Sequence, residues 1–400
     1  MTTLERRIGT TRAVGIGLAS MIGAGVFFVW APAAQVAGSW LLVGLAIAAF
    51  VATLNALSTT QLAMAHPVSG GAYAFARATI GEWTGFSAGL LFLVGKTASV
   101  AAIALIAGSY LWPSQDRLIA VVLLAALAVI NMTGIRSTAT VSLVIVSVVL
   151  LGLALSLGSA VPRLAPIDMD AAPGPLAILQ SAGLLFFCFA GYARMATLGE
   201  EVVNPRRTLP RAILTALGIT LVVYAVVALV CLSVLGASLA ASDSPIADLG
   251  NAPILVRVVA GVACVGSLIG ILAALSRTGL AMAREGDLPG PLGFVWQRTR
   301  APIAAEAAIA AIAVVAVLLL EPARLVGFSS CAVLVYYAIA HASALRQPVA
   351  ERWLPRVVQV LGLAGCLLLA VTLPWQAVAL TAGVLAVGIL TRLVVRTVKA

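Results

Sequence analysis

The sequence predicts an all-α polytopic membrane protein, and three observations carry that prediction. Hydrophobic residues make up 62% of the chain and charged ones only 10%, where soluble domains are nearer 25% charged. The apolar residues gather into stretches of about 20 residues, long enough to cross a bilayer as helices. The basic residues fall almost wholly in the connections on one side of those stretches, as membrane insertion requires.

Twelve spans are read in order, at about 13–36, 40–64, 83–109, 117–134, 138–160, 177–199, 211–236, 254–281, 302–320, 324–345, 354–372 and 375–396. The second ends at His66-Pro67 and the third begins at Glu82-Trp83. The fifth is rich in β-branched valine, which is no obstacle to a helix in lipid. The longer connections, near 65–82, 160–176, 199–211, 237–253 and 282–301, are too short for a separate soluble domain. Arg6, Arg7 and Arg12 before the first apolar run, and Ala31-Pro-Ala-Ala34 after it, imitate a signal peptide. The run is longer than a signal's apolar region and more spans follow at once, so it is read as span 1.

With a cytoplasmic N-terminus, eighteen basic residues lie inside, from Arg6 and Arg7 to Arg396 and Lys399. Only Arg117, Arg163, Arg257 and Arg324 lie outside, where Asp116, Asp168, Asp170, Asp243, Asp248 and Glu321 make the loops acidic. Both termini are therefore expected on the cytoplasmic side of the inner membrane. The same bias explains the net charge of +10 without nucleic acid. Cys188, Cys231, Cys264, Cys331 and Cys366 all lie in apolar segments. They are odd in number and lack disulfide or metal spacing, so inert buried thiols are expected and no metal or cofactor.

Span 1 holds Leu18-Ala-Ser-Met-Ile-Gly-Ala-Gly-Val-Phe-Phe28, with Gly23 and Gly25 flanking one alanine at its centre. Each glycine costs a helix about 1 kcal/mol relative to alanine. Two of them at membrane depth predict an interruption, where free amides and the dipole of the next half-helix suit a carboxylate. Gly15, Ala19 and Gly23 also form a small-xxx-small row that would serve helix packing instead. Five spans later Leu184-Leu-Phe-Phe-Cys-Phe-Ala-Gly-Tyr-Ala-Arg194 carries Gly191 in its middle. An odd shift inverts membrane orientation, and paired interrupted helices in inverted halves point to a transporter's binding site. Spans 11 and 12 fall outside the two halves.

At these residues the chain resembles the amino acid–polyamine–organocation superfamily of amino-acid permeases. The motifs stand in the family's order: Ser20-Met-Ile-Gly-Ala-Gly25, Pro67-Val-Ser-Gly-Gly-Ala-Tyr73, Gly199-Glu-Glu-Val-Val-Asn-Pro-Arg-Arg-Thr-Leu-Pro-Arg211 and Ser276-Arg-Thr-Gly-Leu-Ala-Met-Ala-Arg-Glu-Gly-Asp-Leu-Pro289. The resemblance covers spans 1 to 10. It implies a LeuT-type fold, with one inverted repeat at about 10–160, a second at about 176–345, and accessory helices at about 352–397. Residues 1–400 are then one transmembrane domain. It also implies a midplane site between spans 1, 3, 6, 8 and 10. Ser20, Ile22, Gly23, Ala24 and Gly25 would take the substrate carboxylate, and Phe189, Ala190, Gly191 and Tyr192 the amino group. Phe189 and Tyr192 are expected to face the cavity as an aromatic lid or wall.

Charges within the spans add to this. Lys96 lies fourteen residues after Glu82 and thirteen before Ser109, about 20 Å from either helix end. A lysine stem cannot cover that distance, and a midplane cation costs about 2.5–3.5 kcal/mol, so Lys96 is read as functional. Arg194 is about 9 Å from its helix end and within reach of the interface. Glu306, close to the start of span 9, is expected at the interface, so no carboxylate relay is expected. Several bacterial relatives carry a lysine in span 5 where sodium-coupled members hold sodium. Ser147 stands at that position here, which leaves Lys96 as the available substitute. At the inner ends, Glu200 and Glu201 lie beside Arg206, Arg207 and Arg211, and Arg277 and Arg284 beside Glu285 and Asp287. These pairs are read as a cytoplasmic gate, against the alternative of a solvated face.

The expected function is secondary transport of amino acids by alternating access, neutral ones favoured, with a proton as coupling partner and lipid around the chain. Exchange or export is the alternative. A transporter-like sensor would need an added signalling tail, and a channel a continuous polar lining. No nucleophile–base pair, metal cluster or phosphate-binding loop suggests an enzyme or a primary pump.

Overall fold

Backbone polar groups in lipid must be satisfied within the chain, and helices do this locally. The computed structural model describes residues 8–66, 70–133, 139–169, 171–192, 195, 202–250, 253–299 and 301–399. Among them there are helices, 3₁₀ turns and two isolated bridges, and no strand. In chain order the α-helices are α1 (Thr10–Met21), α2 (Gly25–Phe28), α3 (Trp30–Ala37), α4 (Leu41–Ala65), α5 (Ala72–Thr79), α6 (Glu82–Leu111), α7 (Asp116–Met132) and α8 (Ala139–Ala160). They continue with α9 (Pro175–Phe189), α10 (Pro205–Leu235), α11 (Pro245–Asp248), α12 (Pro253–Arg284), α13 (Ile303–Leu319), α14 (Pro322–Arg346), α15 (Arg356–Thr372) and α16 (Trp375–Lys399).

Among the described residues ten helical stretches are long and apolar enough to cross a membrane, and α13 and α15 are shorter apolar helices. These fall on the twelve expected spans. Sequence chemistry sets many of the ends. Proline opens α9, α10, α11 and α14, where its missing N–H costs nothing. Gly236, with φ +50° and ψ −129°, closes α10 in a backbone conformation that side chains with a Cβ rarely adopt. Two short helices lie in connections read as loops, α5 before span 3 and α11 before span 8.

The interior is built around α6 and α14, each about five-sixths buried and packed on one another. The interrupted helix α1–α3, α9 and α12 pack close to them, while α7, α8, α15 and α16 form the outer layer. Two helices are broken in mid-bundle. The first stops at Met21 and restarts at Gly25, and the second stops at Phe189 in a single 3₁₀ turn, Ala190–Tyr192. The breaks touch backbone to backbone. A Cβ added at Gly191 would lie 2.0 Å from the Ser20 carbonyl oxygen, so only glycine fits there.

Candidate functional site

The first break has free donors. Ile22, with φ −81° and ψ 67°, leaves the helix while its N–H still donates to the Leu18 carbonyl at 2.7 Å. The Gly23 N–H folds back onto Met21 O at 2.9 Å. Among the described residues the Ala24 and Gly25 N–H groups donate no hydrogen bond. They stand at the start of the second half-helix, where the dipole is positive. The second break offers a backbone acceptor. Its Ala190 carbonyl takes a hydrogen bond at 3.1 Å from Lys96 Nζ, which reaches across from the middle of α6.

Tyrosines hold the breaks in place. The buried Tyr224 hydroxyl of α10 donates to Met21 O at 2.6 Å and to Cys188 O at 3.1 Å, one carbonyl from each broken helix. Tyr110 of α6 donates to Phe27 O at 2.7 Å in the upper half of the first. A buried carbonyl left unpaired costs about 1–3 kcal/mol, so these hydroxyls are what makes an interrupted helix tolerable here.

Between the breaks lies a cavity of about 900 Å³, its mouth included. It is lined by Ser20, Gly23, Ala24, Gly25, Ala190, Gly191 and Lys96, so seven of the sequence-predicted residues come together. Among the described residues Lys96 is the only charged side chain in the lining. Four predicted residues stand back. Ile22 is buried outside the lining. Phe189 packs edge-on against Tyr224, ring centroids 5.1 Å apart, and Tyr192 stacks on Tyr337 at 5.0 Å. The aromatic wall is instead Phe92 and Phe187. Ser147 is exposed on the outer side of α8, and Ser142 of that helix faces the cavity.

Other lining residues went unread in the sequence, chiefly Ser99, Ser267, Ile103 and Ile271. Ser99 follows Lys96 by three positions and so shares its helix face, and its hydroxyl meets that of Ser329 at 2.6 Å. Ser267 is buried, its hydroxyl unpaired among the described residues, and a Cβ at Gly23 would lie 2.0 Å from it. A lone serine in a small-residue stretch of α12, Gly266-Ser-Leu-Ile-Gly270, was the signal available.

The expected gate is rearranged. Glu200, Glu201 and Arg194 lie outside the described residues. Arg277 and Arg284 are exposed and form no ion pair among those described. The acids beside them in sequence pair elsewhere. Buried Asp287 accepts from Tyr73 Oη at 3.0 Å, Arg77 Nη1 at 3.2 Å and Arg392 Nη2 at 2.5 Å. Arg77 also reaches Glu285 at 3.1 Å, and Arg396 pairs with Glu82. The Arg392 guanidinium lies 4.7 Å from the ring centroids of both Trp83 and Phe86. Burial and the Asp287 carboxylate push the Tyr73 hydroxyl well above the usual tyrosine range, so it stays a donor. This cluster fastens α5, the start of α6, the end of α12 and α16 together.

Glu306, in the first turn of α13, is buried within the protein, 3% exposed, and accepts from Asn131 Nδ2 at 3.2 Å. The five cysteines are buried and free, as expected of inert thiols.

A family model described as amino acid permease matches residues 13–348. The chain is 47% identical over 399 residues to an uncharacterized transporter of Mycobacterium tuberculosis, covering 96% of this chain and 90% of that protein. It is 25% identical over 382 residues to the branched-chain amino acid permease BcaP of Bacillus subtilis, covering 84% and 80%. It is 27% identical over 323 residues to cationic amino acid transporter 9, chloroplastic, of Arabidopsis thaliana, covering 72% and 57%.

Proposed function

The chain belongs to the amino acid permease family, and from that premise we propose that it carries neutral amino acids across the cytoplasmic membrane by alternating access, coupled to protons. The observation that carries this reading is the hydrogen bond from Lys96 Nζ to the Ala190 carbonyl, beside a cavity with free amides on one side. The substrate carboxylate would meet the Ala24 and Gly25 N–H groups, and its ammonium the carbonyls of the second break. Lys96 is then close enough to exchange its carbonyl partner for the carboxylate. Such an amine has a proton affinity that depends on occupancy and on which side is open. That dependence is what a proton-coupled carrier needs.

The lining supports the substrate class. It holds one cation and no carboxylate among the described residues. A second positive charge on the substrate would be repelled, by about 4 kcal/mol at 4 Å with an effective dielectric of 20. Phe92, Ile103, Phe187 and Ile271 offer apolar contact to an aliphatic side chain. The name of the Bacillus relative agrees with this, and Lys96 argues against carrying over that of the plant relative.

In this reading residues 10–160 and 176–345 form the inverted repeats, with 352–397 outside them, and both termini are cytoplasmic. The Asp287 cluster is then the inner latch, and Glu200 and Glu201, beside Arg206, Arg207 and Arg211 in the chain, a second charged group of the same gate. A thermal-shift screen of the purified protein tests the substrate, since ligands of the native state raise its melting point. Aliphatic neutral amino acids are expected to raise it most. Stabilisation chiefly by lysine or agmatine would overturn the assignment.

A further inference from the structure

Glu306 sits in the first turn of α13 with its side chain buried between α7 and α12. Its oxygen accepts from the Asn131 amide of α7, and the Ser276 hydroxyl of α12 is its other neighbour. Both are neutral. Among the described residues α6, α7, α12 and the Gly290–Gly293 turn pack on α13, and none presents a charged or titratable group to this carboxyl. Arg277, next to Ser276 in the chain, is exposed and unpaired with it. Arg136 and Arg300 lie outside the described residues. A carboxylate removed from water among neutral described neighbours is costly, and the usual remedy is a proton.

The position is suggestive in a second way. Ser276 lies two residues beyond Ala274, which lines the central cavity, a rise of about 3 Å along the helix. Eleven residues further on, Asp287 anchors the ion-pair cluster. One helix therefore links the cavity wall, the buried carboxyl and the latched end of the bundle.

We propose that Glu306 is a proton-binding site of the transport cycle. It holds its proton while α7, α12 and α13 are packed as here. When the latched end opens and water reaches Asn131 and Ser276, the O–H bond breaks, the proton passes to that water, and the carboxylate remains. The proposal rests on the proton-coupled reading above and gives that reading a second group besides Lys96.

The test uses full-length protein in proteoliposomes, wild type and Glu306→Gln, with a neutral aliphatic amino acid as probe. Two assays are compared: accumulation driven by an imposed pH gradient, and counterflow at equal pH. Glu306→Gln is expected to lose accumulation at least tenfold while counterflow falls no more than about threefold. Accumulation retained in Glu306→Gln overturns this proposal alone. A wild type that exchanges but never accumulates under a pH gradient removes the proton-coupled reading, and this proposal with it. Infrared difference spectra on substrate binding give a readout that does not depend on coupling. A carboxylic-acid carbonyl band is expected in the wild type and is lost in Glu306→Gln. Should that variant fail to fold, Asn131→Leu is expected to shift the same band. A wild-type spectrum without the band, or a band that neither substitution touches, overturns the proposal.

Discussion

Lys96 Nζ stands 3.1 Å from the carbonyl oxygen of Ala190, tying the middle of α6 to the turn that interrupts the second broken helix. The bond joins a side chain placed by depth in the membrane to a backbone group freed by a helix break. Lys96→Met removes the donor and keeps the stem. It is expected to abolish accumulation driven by a pH gradient in proteoliposomes while leaving measurable exchange. Loss of both activities together with a lowered melting point would mark Lys96 as a fixed cation that holds the spans together.

Gly25 faces α9 at close quarters: an added Cβ would lie 2.8 Å from Cys188 Sγ and 3.1 Å from its Cα. Gly25→Leu is therefore expected to push the two breaks apart and to remove substrate-induced stabilisation in a thermal-shift assay. Membrane abundance should persist, because the outer helices are untouched. Normal transport by this variant would show that the amides of the first break do not hold the substrate.

Phe189 and Phe187 should separate packing from recognition. Phe189 is fully buried against Tyr224, so Phe189→Ala is expected to cost about 3–5 kcal/mol of stability. Phe187 and Phe92 line the cavity. Alanine at either is expected to change the ranking of amino acids in a competition assay more than it lowers the melting point.

At the latched end, Asp287→Ala leaves Arg392 buried without its partner. The loss is expected to be about 3–5 kcal/mol, the usual result of breaking a buried pair. Labelling of a cysteine placed at Ala274 from the cytoplasmic side should rise in parallel.

Tyr73 gives a pH test of the same cluster. Its proton affinity is raised in the fold, so its contribution is complete below about pH 10, the unfolded value, and fades only above it. Tyr73→Phe is thus expected to lower the melting point equally at pH 6 and pH 9.

Much of this site was legible in the sequence, for reasons that can be named. Gly23 and Gly25 mark the first break because glycine at membrane depth has no other common use besides packing. Lys96 stands out because no snorkelling path exists from its depth. Faces were harder. Helix α9 ends in a 3₁₀ turn, and a change from 3.6 to 3.0 residues per turn rotates every position after it. The turn carries Tyr192 away from the cavity, while Phe187 and Phe189, two positions apart on α9, point to nearly opposite faces, so only Phe187 lines the cavity. Helix α8 is apolar almost all round, so nothing local distinguishes Ser142 from Ser147. Partners distant in the chain were out of reach. Glu306 is buried by Asn131 and Ser276, and Asp287 is held by Arg77 and Arg392.

The most direct test of the proton-coupled reading is uptake of a radiolabelled aliphatic amino acid into sodium-free proteoliposomes with an alkaline lumen. Accumulation against the gradient is expected in the wild type, collapsing when a protonophore is added and absent in Lys96→Met. Uptake that requires sodium, or a Lys96→Met variant that accumulates as the wild type does, would contradict it.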